Sequence, residues 1–293
     1  MSGSSDPSGQ ATDEPVGVVL ARLRKSKRIP GQALGERVGM SQAKISRLET
    51  GAVAAEPADV RLLAEELGLP PDEVDQLVTR AEHADNRLTD WRPAHLGLAE
   101  RQRDLRQLEV STMEHRVFQP AVVPGLLQTS EYARAVMSDL HTELDDARVA
   151  DSAVAVSEAV TARMHRNQIL LLPDRAFVFL ITEAVLRNRI GSPAEMIAQI
   201  GRIREVAAYP NVTLRLVPDD AEWPIAPYHG FYLADDRCVL VDLFTTSMVS
   251  RGRRIVRSYR RVFDSIERVA TTDVEPALDR YQTHYARMLL NAE

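Results

Sequence analysis

Residues 31–51 read GQALGERVGMSQAKISRLETG, and this stretch constrains the fold more tightly than any other part of the chain. Two short helices that cross at about 90–120° around a three- or four-residue turn make several demands at once. The first helix needs a small residue where the second comes close, and Gly35 stands there. The turn needs a residue that tolerates positive φ, which Gly39 provides. The second helix needs an N-cap, supplied by Ser41, and buried anchors, supplied by Ile45 and Leu48. Leu34 and Val38 anchor the first helix, and Gly51 ends the second. All these demands are met in one register, so the spacing predicts a helix-turn-helix.

Charge sharpens the expectation. The 293 residues carry a net charge of −6, which taken alone speaks against a polyanionic partner. Between positions 20 and 50, however, Arg22, Arg24, Lys25, Lys27, Arg28, Arg37, Lys44 and Arg47 face only Glu36 and Glu49, a local excess of +6. The three lysines of the chain all fall in this window. An acidic polymer is what such an excess attracts. The competing reading of the same exposed Gln, Lys and Arg side chains is a solvated face on a small helical bundle.

At about 150 residues per domain, the length suggests two domains. Residues 1–12 are Ser/Gly/Asp-rich with neither a basic flank nor an apolar stretch; they read as a disordered leader, not a signal or transit peptide. Residues 13–82 form the first domain. Its apolar spacings, such as Val16, Val19, Leu20 and Leu23, or Val60, Leu63, Ala64 and Leu67, mark five short helices. The polar, turn-forming residues 83–95 read as a linker, and residues 96–293 as a second domain mixing helices and strands. Strands are expected over 114–119, 176–181, 212–217, 230–233 and 238–243. Helices are expected over 96–112, 131–140, 146–172, 193–208 and 275–290, with another bearing Ile255, Tyr259, Phe263 and Ile266 on one face. The fold class expected is therefore mainly α: a five-helix first domain, then an α+β domain with a small sheet.

The segment 31–51 resembles the lambda-repressor-like, XRE-type helix-turn-helix domains. Gln32, Leu34, Gly35, Gly39, Met40, Ser41, Ile45, Ser46, Leu48, Glu49 and Gly51 match their pattern in register. The resemblance implies that the second helix enters the major groove of double-stranded DNA. Position by position, it implies Gln42, Ala43 and Arg47 as base readers: Gln suits adenine, Arg suits guanine, and the Ala methyl suits thymine. Gln32, Ser41, Lys44 and Thr50 fall at phosphate-facing positions. Thr50 replaces the Asn common there, and Ala43 shortens a position that is often long and polar.

The second domain resembles the C-terminal domain of a group of actinobacterial, antitoxin-like regulators. Residues 123–135, 182–187 with Gly191, 209–218, and 229–232 followed by 238–243 carry this likeness. The group's Arg-x-x-Arg-Gln pattern appears here as Arg163-Met-His-Arg166-Asn-Gln168, with one residue inserted. The resemblance implies a cytoplasmic, nucleoid-associated regulator with a small protein encoded nearby, or a small ligand, as its signal. Trp223, Tyr228 and His229, clustered in a loop, are candidates for that contact surface. A homodimer on an inverted-repeat operator is expected, because one recognition helix reads few bases.

Other classes lack their signatures. The single Cys238 excludes a disulfide framework and fits a reducing compartment. No apolar run approaches the roughly 18 residues of a membrane span. The seven histidines form no His-x-x-x-His, and neither a phosphate-binding Gly-rich loop nor a nucleophile elbow is present, so no metal, cofactor or catalytic residue is expected. Glu183 and Arg187, four apart, read as a local ion pair. The alternative function is an enzyme or ligand-binding protein whose helix-turn-helix domain serves only to place it on DNA.

Overall fold

The structure, a computed structural model, describes residues 14–50, 55–86, 89–93, 98–144, 149–244 and 246–291. The chain divides into two compact units. The first ends at Thr89 and takes in Gly252–Arg254; the second comprises Asp90–Arg251 and Ile255–Glu293.

The first unit holds α1 (Val16–Ser26), α2 (Gly31–Val38), α3 (Gln42–Glu49), α4 (Pro57–Glu66) and α5 (Pro71–Asn86). Proline marks the starts: Pro15 and Pro30 sit at the N-caps of α1 and α2, and Pro57 opens α4, where a missing N–H costs nothing. Leu20, Leu34, Ile45, Leu48, Val60 and Leu67, each at most 2% exposed, meet in one core. The stretch read as a linker, residues 83–95, contains the point where the two units divide, and its described residues are the end of α5 and a short strand. No Gly or Pro stands between Pro71 and Pro93, so nothing covalent stops α5 before Asn86, and β1 (Thr89–Pro93) follows.

The second unit adds α6 (Leu98–Val110), β2 (Glu114–Gln119), α7 (Ser130–Leu144), α8 (Val149–Arg166), β3 (Ala176–Thr182), α9 (Glu183–Arg187), α10 (Pro193–Ala207), β4 (Val212–Val217), β5 (Phe231–Ala234), β6 (Cys238–Asp242), β7 (Thr246–Ser250), α11 (Arg253–Glu267) and α12 (Glu275–Leu290). Seven strands form one mixed sheet in the order β1-β7-β6-β5-β2-β3-β4. β2, β3 and β4 run parallel, because helices α7–α8 and α9–α10 supply the crossovers; β5, β6 and β7 continue antiparallel through short connections. The strand alternation serves two cores. Phe177, Phe179 and Ile181 join Ile200 and Ile203 of α10 and Leu278 and Tyr285 of α12, while Leu180, Phe118 and Leu233 join Val256, Phe263 and Ile266 of α11 on the other face.

The class expected from the sequence holds, but the sheet is larger than the five strands expected. β7 hides in the sequence because its buried positions include Ser247 and Ser250, and β1 because it is a short polar edge strand ending in proline. The helix expected over 146–172 ends at Arg166 and tightens into a 3-10 stretch, Asn167–Leu171, where the Asn167 amide turns to the Gln128 carbonyl at 3.2 Å. Glu183 and Arg187 do not pair with one another. Glu183 is buried against α12, where Arg280 and Tyr281 donate to it, and exposed Arg187 pairs with Asp219.

One buried group gives this fold a pH limit. His115, fully inaccessible, stacks on Phe177 at 4.3 Å; its Nε2 donates to the Thr112 carbonyl at 3.2 Å and its Nδ1 accepts from the Tyr232 hydroxyl at 2.9 Å. Burial pushes its pKa down to about 4, against a weaker upward pull from the Thr112 carbonyl. The folded state therefore keeps His115 neutral while the unfolded chain takes up a proton below about pH 6.5. Its contribution is complete above that pH and is lost as pH falls towards 4, an effect on the order of 3 kcal/mol. Urea unfolding at pH 7 and pH 4.5 should show this loss, and His115→Phe should reduce the difference between the two.

Candidate nucleic-acid interface

The geometry of α2 and α3 follows from close approach. Gly39 has φ 68°, the left-handed conformation that lets the chain reverse between the two helices, and the Met40 N–H donates to the Gly35 carbonyl at 2.8 Å. A Cβ on Gly35 would lie 2.4 Å from the Met40 carbonyl oxygen. The Ser41 hydroxyl accepts the Lys44 N–H at 3.2 Å, capping α3 as its sequence position predicts. Leu34, Gly35, Ile45 and Leu48 all face inward. Gly51 lies outside the described residues.

Two restraints on α3 are not legible in the motif. A Cβ on Gly17 would lie 2.0 Å from the Leu48 carbonyl oxygen, so α1 touches the end of α3 backbone to backbone. A glycine inside a predicted helix, where it costs about 1 kcal/mol relative to alanine, was the available signal. Arg24 then clamps the same end: Nε and Nη2 donate to the two Glu49 carboxylate oxygens at 2.6 and 2.7 Å, and Nη1 to the Ile29 carbonyl at 2.6 Å. Both side chains are nearly buried, which favours the bidentate geometry over solvent.

The remaining face of α3 is open. Gln42, Ala43 and Arg47 are all exposed, and Arg47 Nε donates to the Ala43 carbonyl at 3.2 Å, laying the guanidinium back along its own helix. Of the expected phosphate-facing residues, Gln32 is exposed and donates to Glu36 at 3.1 Å, and Thr50 closes α3 by donating to the Ser46 carbonyl at 2.9 Å. Lys44 is less free than the sequence implies, since its Nζ pairs with Asp59 of α4 at 2.8 Å. The local excess of charge is likewise reduced by carboxylates on both sides of the window: Arg22 pairs with Glu14 and Arg37 with Glu66. Lys25, Lys27, Arg28 and Arg47 are left with no carboxylate partner among the described residues.

The candidate surface of the second unit separates into parts. Trp223 is half-buried, edge-on to Phe118 at 6.5 Å, and closes the core beside α11. His229 Nε2 lies 2.9 Å from the Tyr259 hydroxyl, and burial lowers its pKa. Tyr228 alone of the three projects, 86% exposed. The Val123–Gln128 stretch is a packed turn. Gln128 Nε2 donates to the Val123 carbonyl at 2.7 Å, Gln199 holds the Leu127 carbonyl and the Thr129 N–H at 2.8 Å each, and the Thr129 hydroxyl caps α7. Gln168 is exposed, whereas Arg163 and Arg166 turn inward onto Gln102. On α11, Arg260 pairs with Asp236, and before it Arg251 pairs with Asp90 at 3.8 Å. No described helix is long and apolar enough to cross a membrane.

Comparison with known proteins places these two units. Residues 15–77 match a helix-turn-helix domain family. No protein of curated function matches the chain. Among solved structures the chain is similar to TrmBL2, an archaeal chromatin protein described as showing a novel mode of DNA binding. The likeness is 12% identity over 69% of this chain and 66% of that one, with a TM-score of 0.29, too distant to carry an argument. This chain thus spans just under two thirds of that protein's length. Residues 102–277 match the family described as a domain of unknown function, DUF5753. With more than half of its length inside that match, and a helix-turn-helix domain ahead of it, the chain belongs to the DUF5753 family.

Proposed function

We propose that the chain is a sequence-specific transcriptional regulator of the XRE type, acting by binding and not by turnover, in the cytoplasm and on the nucleoid. The observation that carries this reading is α3 itself: capped by Ser41, held from behind by Gly17, Gly35 and Arg24, and presenting Gln42, Ala43 and Arg47 outward. A helix packed on one side, with its polar face open, suits the major groove. A dimer reading two halves of an inverted repeat multiplies the discrimination of one helix. The DUF5753 unit is read as the signal input, antitoxin-like, with a small protein encoded nearby or a small ligand as the signal and Tyr228 as the exposed anchor.

Base readout is tested by substitution. Gln42→Ala and Arg47→Ala should each cost about 1–3 kcal/mol on the operator and much less on random DNA. Lys44→Ala should weaken both alike and lower the salt slope by about one unit; it should also lower Tm, because Asp59 loses its partner. Equal losses on both DNAs for Gln42→Ala would remove that residue from base readout.

Signal input is tested on the second unit. Tyr228→Ala should leave Tm and operator affinity unchanged while abolishing the response of operator binding to the neighbouring small protein. Trp223→Ala should lower Tm, since its indole closes a core. A Tyr228→Ala chain that responds as the wild type does overturns the anchor.

A further inference from the structure

Between α6, α8 and the 3-10 turn Gly125–Leu127 lies a polar network whose charges do not balance. Three guanidiniums, of Arg101, Arg163 and Arg166, meet two carboxylates. Arg166 takes Glu109 through Nη2 at 2.5 Å and Nε at 2.9 Å, with both side chains buried. Arg101 takes Asp242 at 2.5 Å. Arg163 is left with amides: Nη1 donates to Gln128 Oε1 at 2.5 Å, and Nε reaches Gln102 Oε1 at 3.4 Å, an oxygen that Arg166 already engages. Among the described residues no carboxylate pairs with it. Burial, reinforced by the charge of Arg166, pushes its pKa down to about 9.

The guanidinium is nevertheless held ready. Gln128, its firmest partner, is fixed by its own bond to the Val123 carbonyl and by Asn167, which donates to the Gln128 carbonyl. Gly125 lies beside Arg163, where a Cβ would sit 3.8 Å from Nε and 3.9 Å from Cζ, so residue 125 itself places no side chain on that face. A cation half withdrawn from water and held only by neutral amides favours the addition of one negative charge.

We propose that Arg163, beneath the Gly125 turn, is the binding site for a small ligand bearing an oxyanion, a carboxylate or a phosphate group, which supplies the missing third counter-ion. The planar fork of the guanidinium accepts either group through paired N–H bonds. Binding at this site stands apart from the regulatory reading above; only its role as the signal rests on that reading.

Thermal unfolding of the full chain in inorganic phosphate and in acetate, against chloride at equal ionic strength, tests the site. A saturable rise in Tm of about 4 °C is expected in one oxyanion or both, and which of them acts identifies the group. Arg163→Met should lose the rise. Should that variant fail to fold, Gly125→Val, which covers the guanidinium face and leaves its hydrogen bonds in place, should lose it equally. Identical Tm values for the wild type in all three salts, or a rise that persists in either folded variant, overturns the proposal. Operator affinity measured with and without the effective oxyanion then separates the two readings: no change refutes the signalling role and leaves the site standing.

Discussion

The position of α3 depends on two places where backbone meets backbone with no room for a side chain. At Gly17 the carbonyl of Leu48 occupies the space a Cβ would take, and at Gly35 the carbonyl of Met40 does so. Helices α1 and α2 therefore close on α3 from two directions, and a methyl group at either glycine would force backbone to move. Arg24 locks the closed arrangement by joining α1 to Glu49 at the last residue of α3. What remains of the α3 surface is the face that carries Gln42, Ala43 and Arg47. In the proposed function this packing matters, because a bidentate contact to a base edge tolerates little displacement.

The second unit is built on a different economy of space. Its sheet is buried on both faces, so successive residues of β3 belong to different cores, and the strands read as continuous apolar runs. Polar groups inside such a body must be fully paired or must await a partner. His115 is of the first kind, with both ring nitrogens satisfied in the neutral form. Arg163 is of the second kind. A fully buried histidine and a half-buried arginine thus have opposite meanings, one limiting stability at low pH and the other marking a place for an anion.

Legibility in the sequence followed from how local each constraint is. Gly39 and Ser41 act on their own neighbours, so the turn and the cap of α3 could be read from spacing alone. β3, β4 and α12 were legible because apolar runs bounded by turn residues or a clean helical face announce them. Gly17, Asp59 and Glu183 were not, since each gains its meaning from a partner far along the chain: Leu48, Lys44 and Arg280. β7 escaped for a related reason, its serines being buried only because the neighbouring strand and the core behind it cover them. Exposure was the least legible property of all: Trp223 and Tyr228, five residues apart in one loop, have opposite surroundings.

The charge of the helix-turn-helix unit is also more selective than its composition suggests. Half of the basic residues between positions 20 and 50 are tied to carboxylates, and Arg47 on α3 is among those left without one. On the proposed regulatory reading, a surface of that kind would depend on shape and base contacts more than on bulk attraction to phosphate. Methylation interference, on a duplex that the full chain retains from a randomised library, tests this most directly. The account predicts a short defined run of bases at which methylation of guanine N7, on the major-groove edge, blocks binding. Interference confined to adenine N3 in the minor groove, or retention of duplexes that share no sequence, would contradict it.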